Sequence, residues 1–343
     1  MRLGIIAESP DEQLALDSDS FPAVIVEVLI SMALARVLLV AVKLGILDLL
    51  AERPATYDEV ASELDLDPEA AHQLLLCLAR SGYASQSDDR FSVTPRGRWG
   101  TAGADNSLKD VILGMEFLEF EWLGHLETYV RTGRSVSVHE GLTGDLWGFY
   151  QKQMRSYAAM SAARVAELIP VPENARRMLD IGGSHGYQSV EVCRRHPGLS
   201  STILDLPQAV EHAAPLLERE GMGDRVTYWQ GSVLEVDLGH ESYDLVYTGN
   251  LLHHFDDATT EDVIRKVARA LAPGGVFVIG GSMGTPDDDQ VGAIEQLIYA
   301  LISHGIRPPE RIGSWLENAG LVPQETIPTG LGSILQPAVK PTG

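Results

Sequence analysis

Residues 178–187 read Met-Leu-Asp-Ile-Gly-Gly-Ser-His-Gly-Tyr, and residues 203–207 read Ile-Leu-Asp-Leu-Pro. The apolar run that ends at Asp180 predicts a buried strand, and the glycines behind it predict a tight turn that leads into a helix. A second apolar run ends at Asp205, about 20 residues after the turn. A strand, a glycine turn, a helix and a strand in this order predict a nucleoside-binding crevice, because the turn offers backbone N–H groups and the second strand offers a carboxylate.

The spacing of the glycines bears on which nucleoside is bound. A dinucleotide fingerprint Gly-x-Gly-x-x-Gly starting at Gly182 would need glycines where Ser184 and Tyr187 stand. The second glycine of that motif lets a pyrophosphate approach the backbone, so NAD and FAD are disfavoured. The remaining pattern, Asp-x-Gly-x-x-x-Gly from Asp180 to Gly186, is similar to the Asp/Glu-x-Gly-x-Gly-x-Gly motif of class I S-adenosylmethionine (SAM) methyltransferases. On this turn alone, another doubly wound domain stays an open alternative.

The composition limits the possible partners and the cell compartment. A chain of 343 residues is long enough for two domains, and its formal net charge of −22 disfavours nucleic acid and anionic membranes as partners. Cys77 and Cys193 lie in apolar helical patterns, so we expect both to be reduced and buried. The apolar run 23–42 is interrupted by Glu27 and Arg36, which favours a buried helix over a membrane span. No cationic-then-apolar signal peptide opens the chain, and we expect a cytoplasmic protein.

The first hundred residues predict a small helical domain that pairs with a second subunit. Residues 1–20 are polar and lack periodicity, which predicts a disordered or frayed N-terminus. A long helix over 22–50 carries apolar residues on nearly every face, and such a helix needs cover on all sides. Two capped helices and a β-hairpin over 83–94 follow, so residues 21–104 predict a winged-helix-like dimerisation domain.

A winged helix raises the hypothesis of DNA binding, and the charges argue against it. The capping box Thr56-x-x-Glu59 begins the first short helix, and Asp67 caps the second. This second, would-be recognition helix has acids at Asp67 and Glu69 and a basic residue only at its end, Arg80. DNA readout needs basic or amide side chains near that N-terminus. We therefore predict a packing module and no nucleic-acid partner.

Residues 105–172 predict a helical linker that also covers the substrate. Helices are expected over 108–118, 122–130 and 146–169. An aromatic stripe in this segment either packs in the core or forms an apolar lid over a planar substrate, and the sequence leaves both open. The aromatic residues concerned are Phe117, Phe120, Trp122, Trp147, Phe149, Tyr150 and Tyr157.

Residues 173–343 alternate between strand and helix patterns, which predicts an α/β, doubly wound, Rossmann-like domain. The predicted strands are 177–181, 201–205, 225–230, 243–248 and 276–280. The predicted helices are 187–196, 207–220, 259–271, 287–303 and 309–319. Two apolar runs, 321–327 and 332–336, predict an antiparallel pair that closes the sheet. Polar residues follow several predicted strand ends, and ligands of such sheets bind beyond the carboxyl ends of the strands.

Over residues 25–337 the chain resembles the winged-helix, dimeric class I SAM-dependent O-methyltransferases of the plant phenolic and acetylserotonin type, which have bacterial relatives. The segments that carry the resemblance, in order, are 42–48, 74–82, 91–94, 179–183, 204–207, 225–226, 230–232, 250–257, 273–275 and 319–320. The resemblance implies a homodimer through the N-terminal helices, SAM as methyl donor, and a small aromatic or polyketide-like acceptor.

The resemblance also assigns roles to individual residues. It implies that SAM is held by Asp180, Gly182, Gly183, Ser184, Gly186, Asp205, Leu206, Gly231, Ser232, Val233 and Asn250. It implies that the acceptor pocket contains Tyr150 and Met154, and we add His254 and His304 as candidates. His253 of Leu252-His253-His254-Phe255 matches the family's general base, and an imidazole suits that role because its pKa lies near neutrality.

The chain departs from the family at the groups that orient this histidine. Plant members use two glutamates, whereas Gly281 stands at one of these positions and the block 305–308 lacks the other. Glu295 or Asp287 is a candidate replacement. The Gly-Asp expected at adenine is Gly-Ser here, with Ser232 in place of the acid.

These departures leave alternatives to O-methylation. One alternative is a C-methyltransferase of the same fold, and another is an enzyme of that fold that uses the SAM site without methyl transfer. A transcriptional regulator with a vestigial SAM domain is the alternative from another class. His253, His254 and His304 raise the question of a metal site, but their spacing is not that of a metal motif, and we predict none.

Overall fold

The computed structural model describes residues 5–18, 23–104, 107–117, 119–139, 142–284, 289–330 and 333–342. These residues form two compact units, of which the first ends at Glu119 and the second begins at Phe120. The predicted linker 105–172 is therefore divided between the two units.

The first unit is mostly helical. Its helices are α1 (Pro10–Asp17), α2 (Ala23–Lys43), α3 (Ile46–Glu52), α4 (Tyr57–Glu63), α5 (Pro68–Arg80), α6 (Pro95–Arg98) and α7 (Lys109–Phe117). Its strands are β1 (Ala55–Thr56), β2 (Ala84–Ser87) and β3 (Arg90–Val93), which form an antiparallel sheet in the order β1-β3-β2. The core includes the fully buried side chains Leu39, Ile46, Leu75, Leu78 and Phe91.

The predicted caps and hairpin of this unit are confirmed. Thr56 Oγ1 accepts a hydrogen bond from the Glu59 N–H at 3.2 Å, and Glu59 Oε2 accepts one from the Thr56 N–H at 2.9 Å. Asp67 Oδ1 accepts from the Ala70 N–H at 2.9 Å, with Pro68 at the first helical position. These bonds satisfy N–H groups that have no partner inside the helix.

Two predictions for the N-terminal part were wrong. The single helix over 22–50 is interrupted, because Gly45 adopts φ +79° and separates α2 from α3. Helix α1 occupies Pro10–Asp17, where no regular structure was predicted. A capping box between Ser9 and Glu12 explains its start, although none of its side chains is buried. Residues 1–4 and 19–22 of this segment lie outside the described part of the chain.

Helix α2 leaves apolar side chains uncovered within the first unit. The residues of its first half that are more than half exposed are Val24, Ile25, Val28, Leu29, Ile30 and Met32. Over Ala23–Lys43 this helix is long and apolar enough to cross a membrane, a test that buried helices of globular proteins also pass. An exposed apolar strip of this size, here formed by these side chains between 24 and 32, is typical of an interaction surface.

The second unit, together with Glu119, alternates helices with a large sheet. The helices are α8 (Glu119–Gly124), α9 (Leu126–Thr132), α10 (Asp145–Ala159), α11 (Ala162–Leu168), α12 (Tyr187–Arg195), α13 (Pro207–Glu218), α14 (Asp257–Ala270), α15 (Gln290–Ile302) and α16 (Pro309–Asn318). The strands are β4 (Arg177–Ile181), β5 (Ser200–Asp205), β6 (Val226–Gln230), β7 (Tyr243–Gly249), β8 (Leu271–Gly281), β9 (Val322–Pro323), β10 (Ile327–Gly330) and β11 (Ser333–Val339).

The sheet confirms the predicted doubly wound fold. Its order is β10-β11-β8-β7-β4-β5-β6, and β9 pairs with β11. Strands β4 to β8 run parallel to one another, whereas β11 runs antiparallel to β8. Strands β9 and β10 run antiparallel to β11, and the pairing of β9 with β11 confirms the predicted closing pair of 321–327 and 332–336. The chain order reverses between β4 and β7, so the crevice for a ligand is expected at the carboxyl ends of these two strands.

Both faces of this sheet are covered by helices. On one face Phe277 and Ile279 of β8 pack with α14 and α16, and on the other Val276 and Val278 pack with α11 and α12. Cys193 is buried on the second face, and burial raises the pKa of its thiol to about 11. Both cysteines are free, but Cys77 is exposed, so the prediction that both are buried was wrong for Cys77.

Candidate active site

A cavity of about 250 Å³ lies at the carboxyl ends of β4, β5 and β7, where the strand order reverses. Helix α10 forms the opposite wall. We call this the larger cavity, to distinguish it from a second cavity of about 40 Å³. The site residues predicted from the sequence that line the larger cavity are Asp180, Gly182, Gly183, Ser184, Asp205, Leu206, Asn250, Tyr150, Met154 and His254. The fold thus brings together residues that are more than 100 positions apart in the sequence.

Asp180 is fully buried at the end of β4 and borders the cavity. Its Oδ2 accepts a hydrogen bond from Ser189 Oγ at 2.7 Å, whereas its Oδ1 has no hydrogen-bond partner among the described residues. Burial raises the pKa of this carboxyl to about 7, the Ser189 bond opposes that shift, and the charge of Asp205 adds to it. A buried acceptor without a partner indicates a place for a ligand's donor or positive charge.

Asp205 holds the glycine turn and faces the same cavity. Its Oδ2 accepts from the Ser184 N–H and its Oδ1 accepts from the Leu206 N–H, both at 2.7 Å. Burial raises the pKa of Asp205, and these two bonds oppose the shift. A carboxylate has about four acceptor sites, so two remain for other donors such as the hydroxyls of a ribose.

Ser184 replaces the glycine that the family motif has at this position, and it adopts a left-handed backbone with φ +51°. Two hydrogen bonds hold it there. Its N–H bonds to Asp205, and its Oγ donates to Gln151 Oε1 of α10 at 2.5 Å. The serine therefore links the turn to the opposite wall of the cavity.

The neighbouring glycines are required by close packing. A Cβ at Gly183 would lie 2.6 Å from Cγ of Asp180 and 2.9 Å from Cγ2 of Ile203. A Cβ at Gly186 would lie 2.6 Å from Cδ1 of Ile203. The turn thus lies directly on the strand ends, with its backbone toward the cavity. This backbone, the partnerless oxygen of Asp180 and the carboxylate of Asp205 fit a ligand with a ribose and a positive charge, as SAM has.

Several predicted site residues lie outside the wall of the larger cavity. Val233 is buried in the core, and Ser232 Oγ accepts a hydrogen bond from the Leu234 N–H. The side chain of His304 is exposed. The predicted site residues that do not line the larger cavity are Gly186, Gly231, Ser232, Val233, His253 and His304. Their roles toward SAM or the acceptor stay predictions.

The two adjacent histidines face different cavities. They lie on a 3₁₀ turn over Leu252–His254, in which successive side chains are about 120° apart. His254 borders the larger cavity, whereas His253 borders a second cavity of about 40 Å³. The ring centroids of the two histidines are 4.1 Å apart. The residues common to both cavities are Asn250, Leu251, Gly280 and Gly281.

Arg307 anchors this histidine turn. Its Nη1 donates to the Leu252 carbonyl at 3.1 Å, its Nη2 donates to the Phe255 carbonyl, and its Nε bonds to Asp257 Oδ1 at 2.8 Å. The His304 N–H donates to the His253 carbonyl at 2.9 Å. A buried guanidinium with all these partners fixes the turn from the side away from the larger cavity.

No described carboxylate bonds directly to His253. Glu295, one predicted replacement for the family's glutamates, accepts from Ser282 Oγ at 2.9 Å. The same Oγ lies 3.4 Å from Tyr299 Oη, and the Tyr299 ring meets His253 edge-on at 4.9 Å. Glu295 is thus connected to His253 through Ser282 and Tyr299. Asp287, the other candidate, lies outside the described residues.

Both histidines of the turn are neutral near pH 7. Burial lowers the pKa of His253 well below its usual value, and the neighbouring His254, Arg307 and His139 add to this. Burial likewise lowers the pKa of His254 to about 3. Among the described residues there is no group of three or more His, Cys, Asp or Glu side chains arranged to hold a metal ion.

Sequence reasoning missed some residues of the cavity wall, including His139, Gln151, His185 and Tyr247. Gln151 carried a signal, since Trp147, Gln151 and Met154 fall on one face of α10. His139 carried none, because it lies outside the helices. Its ring is 4.8 Å from that of His254 and stacks on Trp147 at 5.6 Å.

The aromatic stripe has a mixed role. Trp147, Tyr150 and Tyr157 line the larger cavity, as the lid interpretation expects. Phe120 and Phe149 are instead exposed.

Comparison with known proteins connects this site to a family. Residues 143–320 match the O-methyltransferase domain, and residues 26–102 match the O-methyltransferase dimerisation domain. The N,N-dimethyltransferase OxyT of Streptomyces rimosus is 28% identical over 322 residues, which cover 90% of this chain and 93% of OxyT. The mitomycin biosynthesis 6-O-methyltransferase of Streptomyces lavendulae is 26% identical over 327 residues, covering 88% and 89% of the two chains.

The fold also matches solved structures. The crystal structure of human N-acetylserotonin methyltransferase in complex with SAM superimposes with a TM-score of 0.81 at 19% sequence identity. The match covers 98% of this chain and 99% of the human one, so the two proteins share the same fold over nearly their whole length.

Proposed function

The chain belongs to the SAM-dependent O-methyltransferase family, and on this premise we propose that it methylates a hydroxyl oxygen of a small aromatic or polyketide-like metabolite. The observation that carries the proposal is the larger cavity, which is lined by Asp180 and Asp205 at the strand ends and by Trp147 and Tyr150 of α10. The carboxylates suit a nucleoside, and the aromatic side chains suit a planar acceptor beside it.

The residues of the turn have distinct tasks in this proposal. SAM supplies a methyl group activated by a sulfonium sulfur. Asp205 would hold the ribose hydroxyls through charge-assisted hydrogen bonds, and the backbone of Gly182 and Gly183 would border the ligand. The partnerless oxygen of Asp180 would accept a donor of the same ligand. By fixing SAM beside the acceptor, these contacts would supply much of the rate acceleration.

At the acceptor end, Tyr150 and Met154 hold the ring, and His254 borders the same space. We assign the role of general base to His253, whose neutral imidazole would take the proton of the acceptor hydroxyl as the methyl group passes from sulfur to oxygen. His253 borders the smaller cavity, which shares Asn250, Leu251, Gly280 and Gly281 with the larger one. Tyr299 and the anchored turn orient the ring of His253.

A second acceptor class is favoured by one observation. The family's plant members orient the histidine with a carboxylate. In this chain Glu295 bonds to Ser282, Ser282 Oγ lies close to Tyr299 Oη, and the Tyr299 ring contacts His253. A less basic histidine suits acceptors that need little help in losing a proton, such as an amine or an activated carbon.

The test of the proposal is titration of the full chain with SAM and with S-adenosylhomocysteine (SAH) in a calorimeter, followed by mass spectrometry of acceptor mixtures. We expect saturable binding of both compounds at one site per chain and a mass gain of one methyl group on oxygen. A flat calorimetric response to both compounds would contradict the assignment of SAM. A methyl group found on nitrogen or carbon would instead identify the second acceptor class.

We further propose a cytoplasmic homodimer that forms through α2, with no nucleic acid or membrane as partner. The exposed apolar strip of α2 and the match to the dimerisation domain support the dimer. Introducing a charge into that strip, as in Leu29→Asp, is expected to shift the protein toward monomer, because the aspartate would have to be buried unpaired.

Light scattering coupled to size-exclusion chromatography measures this shift. Val130→Asp, which also replaces an exposed apolar residue, is the matched control and is expected to leave the mass unchanged. A monomeric parent protein, or an unaltered dimer in Leu29→Asp, would refute the proposed interface.

A further inference from the structure

The described wall of the larger cavity contains two carboxyl groups and no lysine or arginine. The carboxyl groups are those of Asp180 and Asp205. Its basic side chains are the imidazoles of His139, His185 and His254. The charge that a bound molecule meets is therefore set by the two carboxyls and the three imidazoles, and Asp180, with its pKa raised to about 7, is mostly ionised at pH 8.

All three imidazoles are neutral near pH 7. Burial lowers the pKa of His139. Burial, followed by the charge of Arg155, lowers the pKa of His185 to about 3. Burial, followed by the neighbouring His139 and His304, lowers the pKa of His254 to about 3. A base with a lowered pKa stays unprotonated at neutral pH, so the three rings add no positive charge.

The arginines near this site are engaged elsewhere. Arg155 Nη2 pairs with Glu220 Oε1 at 2.6 Å, and its guanidinium lies over the Tyr187 ring at 3.5 Å. Arg307 borders only the smaller cavity, where it bonds to Asp257 and to two backbone carbonyls. Each guanidinium is already paired with a carboxylate, so neither adds an uncompensated positive charge to the larger cavity.

We propose that the acceptor enters this cavity as a neutral or cationic aromatic molecule, and that the enzyme rejects the same ring when it carries a carboxylate, sulfate or phosphate. The inference rests on the proposed function and narrows its substrate class. An anion here would lose its hydration without gaining a partner and would be repelled by Asp205. The faces of Trp147 and Tyr150 carry negative quadrupole charge, which attracts a cation and disfavours an anion.

Matched pairs of hydroxyarenes test the proposal. Each pair consists of a carboxamide and the isosteric carboxylate on the same core of one to three rings. Binding is measured by calorimetry and ligand-observed NMR on the full chain saturated with SAH, at pH 8, where the carboxylates are ionised. We expect each carboxamide to bind about 10-fold more tightly, or better, than its carboxylate. Equal or tighter binding of the carboxylates would overturn the proposal, and so would the failure of every member to bind.

A charge placed in the wall provides a second test. Met154 lines the acceptor end, and Met154→Lys is expected to reverse the preference within a pair toward the carboxylate. The control Met154→Leu changes shape without charge and is expected to keep the preference for the carboxamide. An unchanged preference in Met154→Lys would contradict the role of charge. If this variant does not fold, the comparison of carboxamide and carboxylate binding to the parent protein still tests the proposal.

The same samples separate this inference from the proposed function. SAH is titrated first, without any arene. Absence of SAH binding counts against the methyltransferase site itself, whereas SAH binding with no discrimination between carboxamide and carboxylate counts only against the charge selection.

Discussion

Replacing His253 by alanine is expected to lower kcat by about 10²–10⁴-fold, because a positioned general base contributes a factor of that size. The affinity for SAH is expected to stay the same, since His253 borders the smaller cavity and not the wall around Asp205. Single-turnover methyl transfer and SAH calorimetry on the same sample measure the two quantities.

The matched variant is His254→Ala, which removes the adjacent ring from the wall of the larger cavity. If His254 only shapes the acceptor pocket, this change raises KM more than it lowers kcat. A large loss of kcat in His254→Ala together with a small loss in His253→Ala would identify His254, and not His253, as the general base. His240→Ala, which truncates an exposed histidine elsewhere, is the control for surface effects.

The pH profile gives an independent readout of the same base. Because burial lowers the pKa of His253, its neutral form persists below pH 6.5. The acid limb of kcat at saturating SAM and acceptor, which reports the base in the bound complex and not the free carboxyl of Asp180 with its pKa of about 7, is therefore expected to fall below pH 6.5. An acid limb at pH 7 or above would contradict the assignment.

Changing Asp205 to asparagine is expected to weaken SAH binding by about 10²-fold, since two charge-assisted hydrogen bonds of about 1.5 kcal/mol each lose their charge. Asparagine also places an NH₂ group opposite the N–H of Ser184 or of Leu206, so one present bond turns repulsive. Calorimetric titration with SAH measures the loss.

Asp224→Asn removes the same charge from an exposed 3₁₀ turn and is expected to leave the SAH affinity unchanged. Circular dichroism and thermal unfolding of both variants check that they are folded. Asp205→Asn that is folded and binds SAH as tightly as the parent protein would refute the role of Asp205.

Most of the fold could be predicted because its signals are local. Strand β4 has the predicted bounds 177–181, since its apolar residues Met178, Leu179 and Ile181 lead directly into a glycine turn, which permits few other conformations. The break in the long N-terminal helix was missed, because Gly45 is tolerated in a helix and its left-handed conformation depends on how α3 packs. Helix α1 was missed because its acidic, weakly periodic sequence shows only the cap at Ser9.

The site was predictable where residues follow strand ends. Asp180, Asp205 and Asn250 all reach the larger cavity, because parallel strands bring their carboxyl ends to one edge. The directions of His253 and His254 were not predictable, since they depend on the rotation of one short turn. His304 belongs to the same neighbourhood through its backbone, and its exposed side chain, which is outside the wall of the larger cavity, still contributes to the lowered pKa of His254.

The arginine that anchors the histidine turn also sets an order of events during synthesis. Arg307 comes 52 residues after Phe255, whose carbonyl it binds, and 55 residues after Leu252. Because synthesis runs from the N-terminus, β4 and β5 leave the ribosome well before the arginine that anchors the turn of His253 and His254. The anchor of this turn therefore forms only after Arg307 has been synthesised and has packed against it.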